Sequence, residues 1–542
     1  MPLSLKGLHW PSRCTIRVFY TTVLMSLVAG MFGFDTGSIG AITTMKQFKD
    51  VFGELSPLMR GVVVSIILPA SGITGVLAGT VADKISRKRT IAIGAAIFVL
   101  GSAISAGSES SLGLLIAARC IAGAGEGLFL GCLGVYLCEI SPRHLRSHML
   151  LLQQMVCTSG VATGFFVCYG TAKMSGSMAW RLPFILQCIT GTVVAVLAPT
   201  PFIPYSARWL ISKGRREEAE KMVDLLVSAD HVDERRELLS TPPAARKMSQ
   251  LEAMKDIWSP GVRGRTLLGV AVNVFQQLSG IDFVLFFAPD LFEQAGLDPS
   301  TSSFIASGVI GIVLVCCSVA GTFYINKVGR RTIWLVGGSA TAASHMFLGI
   351  LYATGAARGS VGKYFAMVGI FLFAISFTSS WSLVTKLYAA EIQPSRTRSA
   401  ATSFGQGMNQ IVNFAVALSG PYFLAQSSYG PYFCYGGFSA LGTIFGYFYM
   451  PEVIGKTLEG IDETFIGSPL AVSVPAIFRD ANLTEVRQRK NSRSQSANLP
   501  GESRDEIRRH MAAMELQTIG ENGGNSVIAE ESEDEAEDAR RK

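Results

Sequence analysis

The sequence predicts an all-α membrane protein of twelve transmembrane helices in two six-helix halves, with both termini cytoplasmic. Three observations carry this: long apolar runs, basic residues clustered in alternate loops, and two motifs that each occur twice. Of 542 residues, 49% are hydrophobic and 16% charged, against about 25% charged in an ordinary soluble domain. Most of that charge sits in short links and in the C-terminal tail. Between the links lie runs of about twenty mostly apolar residues, long enough to cross ~30 Å of hydrocarbon as a helix. In lipid the backbone has to satisfy its own hydrogen bonds, so such runs are helical.

The twelve runs occupy 16–40, 61–80, 90–108, 111–135, 149–170, 182–200, 266–288, 303–325, 332–354, 363–388, 399–424 and 431–450. The first, fourth, seventh and tenth carry glycines or polar residues inside the apolar stretch. The predicted organisation is a cytoplasmic N-terminus (1–15), an N-terminal half (16–200), a cytoplasmic linker with short helices (201–265), a C-terminal half (266–450) and a cytoplasmic tail (451–542). The first run is too long for the core of a cleavable signal. Beyond about residue 482 the tail is rich in Ser, Arg and Asn and then in acid, from Glu530 to Glu535. That composition buries no core and predicts disorder, either a plain solvated tail or one that binds regulatory proteins. The ten cysteines show no metal or disulfide spacing.

Orientation follows from the links. Lys84, Arg87, Lys88 and Arg89 follow the second run, Arg143 and Arg146 the fourth, Lys327, Arg330 and Arg331 the eighth, and Arg396 and Arg398 the tenth. The links at 289–302 and 425–430 contain no Lys or Arg. Positive charge marks the cytoplasmic side. It also accounts for the net charge of +7, which is therefore no nucleic-acid footprint.

The chain also repeats itself. Tyr136, Glu139, Ile140, Pro142 and Arg146 recur with the same spacing as Tyr388, Glu391, Ile392, Pro394 and Arg398, 252 residues later. Asp83-Lys84-Ile85-Ser86-Arg87-Lys88 is echoed by Asn326-Lys327-Val328-Gly329-Arg330-Arg331 at an offset of 243. Parallel six-helix repeats of this kind hold a solute at the repeat interface.

Over about 25–465 these motifs resemble the sugar porter family of the major facilitator superfamily. Gly33-Phe34-Asp35-Thr36-Gly37 is similar to the family's GYDTG, and Arg119 with Gly123, Gly125 and Gly127 to its R-x3-G-x-G-x-G. Trp180-Arg181 and Pro204 to Leu210 resemble WR and PESPRWL, Gln276-Gln277 with Gly280 resembles QQxxG, and Pro451-Glu452 with Gly455-Lys456 and Leu458-Glu459 resembles PETKGxxLE.

The resemblance implies roles. Asp35, an ionisable group inside an apolar helix, stands where proton-coupled members carry Asp, with Arg119 as its partner; the alternative is a merely structural pair or cap. No cofactor is implied beyond the proton as coupling ion. Gln154, Gln276, Gln277 and Asn413, with Asn409 nearby, are implied sugar-hydroxyl ligands, since amides donate and accept at once; each is also plausible helix-to-helix glue. Glu139, Arg146, Glu391 and Arg398, with Asp83, Arg87, Arg208, Arg330 and Arg331, are implied to tie the halves together in a cytoplasmic gate; alternatively they are simple positive-inside charges.

Several positions depart from the family. Asp282 replaces an Asn, Phe286 and Phe287 replace tyrosines, Lys386 replaces a Trp, and Ser382-Leu383 replaces the Gly-Pro hinge of the tenth helix. Gln410 replaces an aromatic, Ser86 a Gly, Tyr205 a Glu, and Gly134 and Ala389 replace prolines. Asp282 and Lys386 are expected either to pair with each other or to offer Lys386 to a carboxylate on a sugar acid. The expected partners are a sugar-like solute and the lipid bilayer, with a monomeric working unit in the plasma membrane. No phosphate loop, metal cluster or nucleophile–base motif points to an enzyme. The functional expectation is proton-driven transport of a monosaccharide, polyol or sugar acid, with a non-transporting sensor on the same fold as the alternative; a passive carrier is disfavoured by Asp35.

Overall fold

A computed structural model describes residues 13–142, 145–226, 235, 250–297, 302–325, 327–359, 361–394, 397–454 and 465. The tail expected to be disordered, most of the 227–249 stretch, Arg143, Asn326, Arg396 and the Gly455-to-Glu459 motif lie outside the described residues. Among those described, all regular structure is helical. The twelve long helices are α1 (Arg13–Thr44), α2 (Pro57–Ile85), α3 (Arg87–Ala106), α4 (Leu112–Ile140), α5 (Arg146–Thr171), α6 (Met178–Leu197), α7 (Arg263–Phe286), α8 (Ser302–Tyr324), α9 (Arg330–Ala353), α10 (Gly362–Glu391), α11 (Arg398–Gln426) and α12 (Gly430–Tyr449). The first ten carry spans long and apolar enough to cross a membrane. Helices α11 and α12, of 29 and 20 residues, are similar in length but richer in Gly, Ser, Asn, Gln and Tyr.

Each half is a bundle in which α1 packs on α5, α3 on α4 and α6, and correspondingly α7 on α11 and α9 on α10 and α12. The halves meet along α2 against α11 and α5 against α8, while α1 also meets the far end of α7. Small residues set these contacts, as expected where helices gain nothing by hiding apolar surface from lipid. A Cβ at Gly40 of α1 would lie 1.5 Å from the Phe286 carbonyl oxygen of α7. Between α3 and α4, a Cβ at Gly125 would come within 2.4 Å of the Gly94 carbonyl oxygen.

Helix α7 breaks at Ser279-Gly280, where Gly280 takes a left-handed φ of 78°. Helix α10 breaks at Ser379-Ser380. That lies just before the position of the missing Gly-Pro, so the break survives the loss of its family residues. The linker contributes the short helices Ala207–Ser212, Arg216–Leu226 and Gln250–Asp256.

The duplication is physical. Tyr136 donates its hydroxyl to the Pro204 carbonyl at 2.8 Å, and Tyr388 donates to Pro451 at 3.3 Å. One position breaks the symmetry. Ser86, between α2 and α3, has φ 104° and ψ 153°, a region that only glycine enters freely, at a cost of about 1–3 kcal/mol. Its Oγ recovers a little by accepting from the Arg89 amide at 3.4 Å. Replacing a Ser cap by Gly costs only a few tenths of a kcal/mol. Ser86→Gly is therefore expected to raise thermal stability in detergent, by about 1 kcal/mol net. Gly125→Ala is expected to lower it by about 1–3 kcal/mol through overpacking. At Gly437 a Cβ would meet nothing within 4 Å, so Gly437→Ala serves as the control and leaves stability unchanged or slightly higher.

Candidate substrate site and proton-coupling pair

In the N-terminal half, Asp35 and Arg119 meet as expected. Arg119 donates Nη1 and Nη2 to the two carboxylate oxygens at 2.8 and 3.0 Å, and Nη2 also reaches the Val64 carbonyl at 3.0 Å. Gln187 of α6 donates to Asp35 Oδ1 at 3.1 Å and lies 3.3 Å from the Ser102 hydroxyl. Both charged groups are buried, at 3% and 1% exposure. Four helices of this half, α1, α2, α4 and α6, thus converge on one pair. Gln187 carried no signal in the sequence, because a lone Gln in an apolar run does not show what it faces.

The predicted amides gather in the C-terminal half. Gln277 donates to Asn409 Oδ1 at 3.0 Å, while Asn409 donates to Gln276 Oε1 at 3.1 Å and to the Asn273 carbonyl at 3.0 Å. Asn409 is therefore largely spent on holding α11 to α7. Asn413 is different: it is fully buried, its amide oxygen has no hydrogen-bond partner among the described residues, and its amide nitrogen faces only the Asp282 carboxylate. Gln277 Oε1 is likewise unpartnered. These open valences flank the buried Asp282 carboxylate, which is faced by Gln277, Lys386 and Asn413. Gln154 reaches across from α5 of the other half, its amide 3.3 Å from the Ser382 hydroxyl of α10.

Asp282 and Lys386 do not form the buried pair that was one of the two expectations. Among the described residues Lys386 makes no ion pair, and its side chain is exposed while Asp282 is buried. The break in α10 points Lys386 into open space, from which it acts on Asp282 and on Cys157 of α5 through the field alone. Glu126 of α4, beside the Gly123, Gly125 and Gly127 pattern, is a further buried carboxyl that the sequence reading passed over.

Of the expected gate residues, Arg87 and Arg330 hold carboxylates of their own halves. Arg87 pairs with Glu139 at 3.1 Å and with Asp83 at 2.7 Å, all within the N-terminal half. Arg330 pairs with Glu391 at 3.4 Å within the C-terminal half. Arg146 donates to the Cys138 carbonyl and Arg398 to the Gln393 carbonyl, both at 3.1 Å, and Arg208 is exposed. Glu452 accepts the Arg330 and Arg331 amides at 2.8 and 3.1 Å, capping α9, and Arg331 donates to the Tyr447 carbonyl at 2.6 Å. In the other half Tyr205, standing where the family has Glu, instead lies under Lys88, whose Nζ is 3.8 Å from the ring centre. The Arg87–Glu139 and Arg330–Glu391 pairs each organise one half.

The strap between halves lies at the opposite face. Arg60, at the start of α2, makes two 2.7 Å bonds to Asp290, beyond the end of α7, and donates Nε to Thr43 at 2.9 Å. With the Gly40–Phe286 approach, this closes the face opposite the basic clusters.

Comparison with known proteins places this arrangement. Residues 21–465 match the family described as sugar (and other) transporters. A rice (Oryza sativa subsp. japonica) sugar transport protein, MST3, is 26% identical over 84% of this chain and 91% of its own length. The high glucose sensor RGT2 of Saccharomyces cerevisiae is 28% identical over 85% of this chain and 62% of its own length. Among solved structures, the major facilitator proton:xylose symporter XylE of E. coli, bound to 6-bromo-6-deoxy-D-glucose, superposes with a TM-score of 0.70 at 23% identity, covering 83% of this chain and 99% of its own. The last likeness shows the fold. The match across nearly the whole helical region shows that this chain, a multi-pass membrane protein of the major facilitator fold, belongs to the sugar (and other) transporter family, a family of transporters and not of enzymes.

Proposed function

We propose that the protein takes up a monosaccharide, or a related polyol or sugar acid, across the plasma membrane by proton-coupled alternating access. The observation that carries this is the unspent hydrogen-bonding capacity of Asn413 and Gln277 beside Asp282. A buried amide without partners costs roughly 1–3 kcal/mol, which a polyhydroxylated solute would recover. The basic loops are read as cytoplasmic, so the Arg60–Asp290 strap closes the external side and the site faces inward.

Asp35, held by Arg119 and Gln187, is the proposed coupling group, and moving it requires the pair to part. Proton binding and rearrangement of four helices are then one event. Lys386, free of any ion pair among the described residues, is available to an anionic solute. The working unit is a monomer, and the tail after residue 451 is available to regulatory proteins.

A second reading, a sugar sensor that binds without efficient transport, is favoured by the strained Ser86 and by Tyr205 standing in place of a gate carboxylate. The likeness to a yeast glucose sensor supports it as well. Uptake of labelled hexoses, pentoses, polyols and sugar acids in a transporter-deficient host, at two external pH values and with a protonophore, separates the readings. Accumulation that collapses with the protonophore supports symport; no uptake by protein shown at the cell surface supports the sensor.

Two substitutions sharpen the test. Asp35→Asn is expected to abolish accumulation while leaving solute exchange; accumulation equal to wild type would remove Asp35 from coupling. Lys386→Trp is expected to shift preference from acidic to neutral solutes by about tenfold or more, the loss of one charge-assisted bond of roughly 1.5–3 kcal/mol. An unchanged preference would remove Lys386 from recognition.

A further inference from the structure

Glu126 lies in the middle of α4 with no exposed surface, and none of the pairs above uses it. Its Oε1 accepts a hydrogen bond at 3.3 Å from the Gln410 amide of α11. The same amide nitrogen donates to Ser71 Oγ of α2 at 3.1 Å. Gln410 therefore stitches the C-terminal half to two helices of the N-terminal half. Glu126 Oε2 has no hydrogen-bond partner among the described residues.

The charged groups acting on it are Asp35 from α1, Arg119 from its own helix and Asp282 from α7, with the Ser71 hydroxyl beside it and Cys157 of α5 nearby. Two of the three charges are carboxylates. Arg119, seven residues back and about 10 Å along the axis, spends its fork on Asp35 and Val64. Glu126 thus has no cation of its own. An ionised carboxylate left alone there costs several kcal/mol, and a proton removes that charge. A cavity of ≈ 10 Å³, lined by Ser71, Gly72, Gly127 and Gln410, adjoins this junction. It is about the size of one water molecule.

We propose that Glu126 binds an exchangeable proton and that, through Gln410, this proton sets the contact between the two halves. Binding forms one O–H bond on Glu126 Oε2 with a proton taken from water; release returns the proton to water and breaks no other covalent bond. With the proton on, the junction of α2, α4 and α11 carries no charge from Glu126 and stays closed. With it off, the carboxylate gains hydration when α11 parts from α4, so release favours separation. Asp35 is held by Arg119 and Gln187 and Asp282 has Lys386 acting on it, whereas no cation from another helix acts on Glu126. The use of this proton in transport rests on the uptake function proposed above; the protonation does not.

Infrared difference spectroscopy of purified full-length protein in lipid, titrated with pH, reads the proton directly. A neutral carboxylic acid has a carbonyl stretch that the carboxylate and a glutamine lack. The expected result is such a band in the wild type, lost on alkalinisation, absent in Glu126→Gln and retained in Asp35→Asn. Glu126→Asp, which keeps the carboxyl, shifts the band and serves if the Gln variant does not fold. A band unchanged in either Glu126 variant, or no band in the wild type, overturns the proposal. In uptake assays, Glu126→Gln, which leaves Asp35 in place, is expected to shift the pH profile of transport without abolishing accumulation, and an unaltered pH profile would also overturn the link to transport. Wild-type protein that shows the band but moves no solute sinks the uptake function and leaves the proton site standing.

Discussion

A charge placed inside hydrocarbon has to find its partner inside the protein, and the Asp35–Arg119 pair is where this molecule meets that demand. Both groups are almost wholly buried, and the donors that complete the arrangement come from α4 and α6, with the Val64 carbonyl of α2 accepting a further guanidinium proton. Losing either charge would leave the other uncompensated, which is costly at this depth. The mutual position of the helices in the N-terminal half is therefore tied to the ionic state of one carboxyl.

The two halves share a plan but use it differently. In each, an Arg at the start of the third helix holds a Glu at the end of the fourth: Arg87 with Glu139, and Arg330 with Glu391. In each, a Tyr on the fourth helix is anchored to a proline carbonyl just beyond the bundle. The N-terminal half then fills its interior with an ion pair, the C-terminal half with amides and Asp282. The two halves thus meet with different polar interiors.

The departures from the family pattern make physical sense together. Replacing an aromatic by Lys386 and an amide by Asp282 removes ring-stacking surface and supplies two opposite charges that face each other without touching. Gln410, standing where an aromatic is usual, becomes the donor that links Ser71 and Glu126 across the halves. Tyr205 exchanges a carboxylate for an aromatic face and keeps its basic neighbour by a cation–π contact, worth about 0.5–2 kcal/mol.

The sequence by itself determined the helical membrane architecture, the duplicated halves and the presence of an ionisable Asp35 inside an apolar helix. Each rests on a local or near-local signal: twenty-residue apolar runs, motifs repeated at fixed offset, and a charge with no business in lipid. Arg119 as its partner, and the amides Gln276, Gln277, Asn409 and Asn413 as a group, followed from the resemblance to the family. Only the tertiary structure decided which of these amides keeps free valences, because Asn409 and Asn413 are chemically identical and one helical turn apart. It also separated Asp282 from Lys386, confined Arg87 and Arg330 to their own halves, and brought Arg60 to Asp290 and Gln410 to Glu126. Those partners lie more than 200 residues apart, and at such separations contact is fixed by how helices rotate and break, which the order of residues along one helix does not encode.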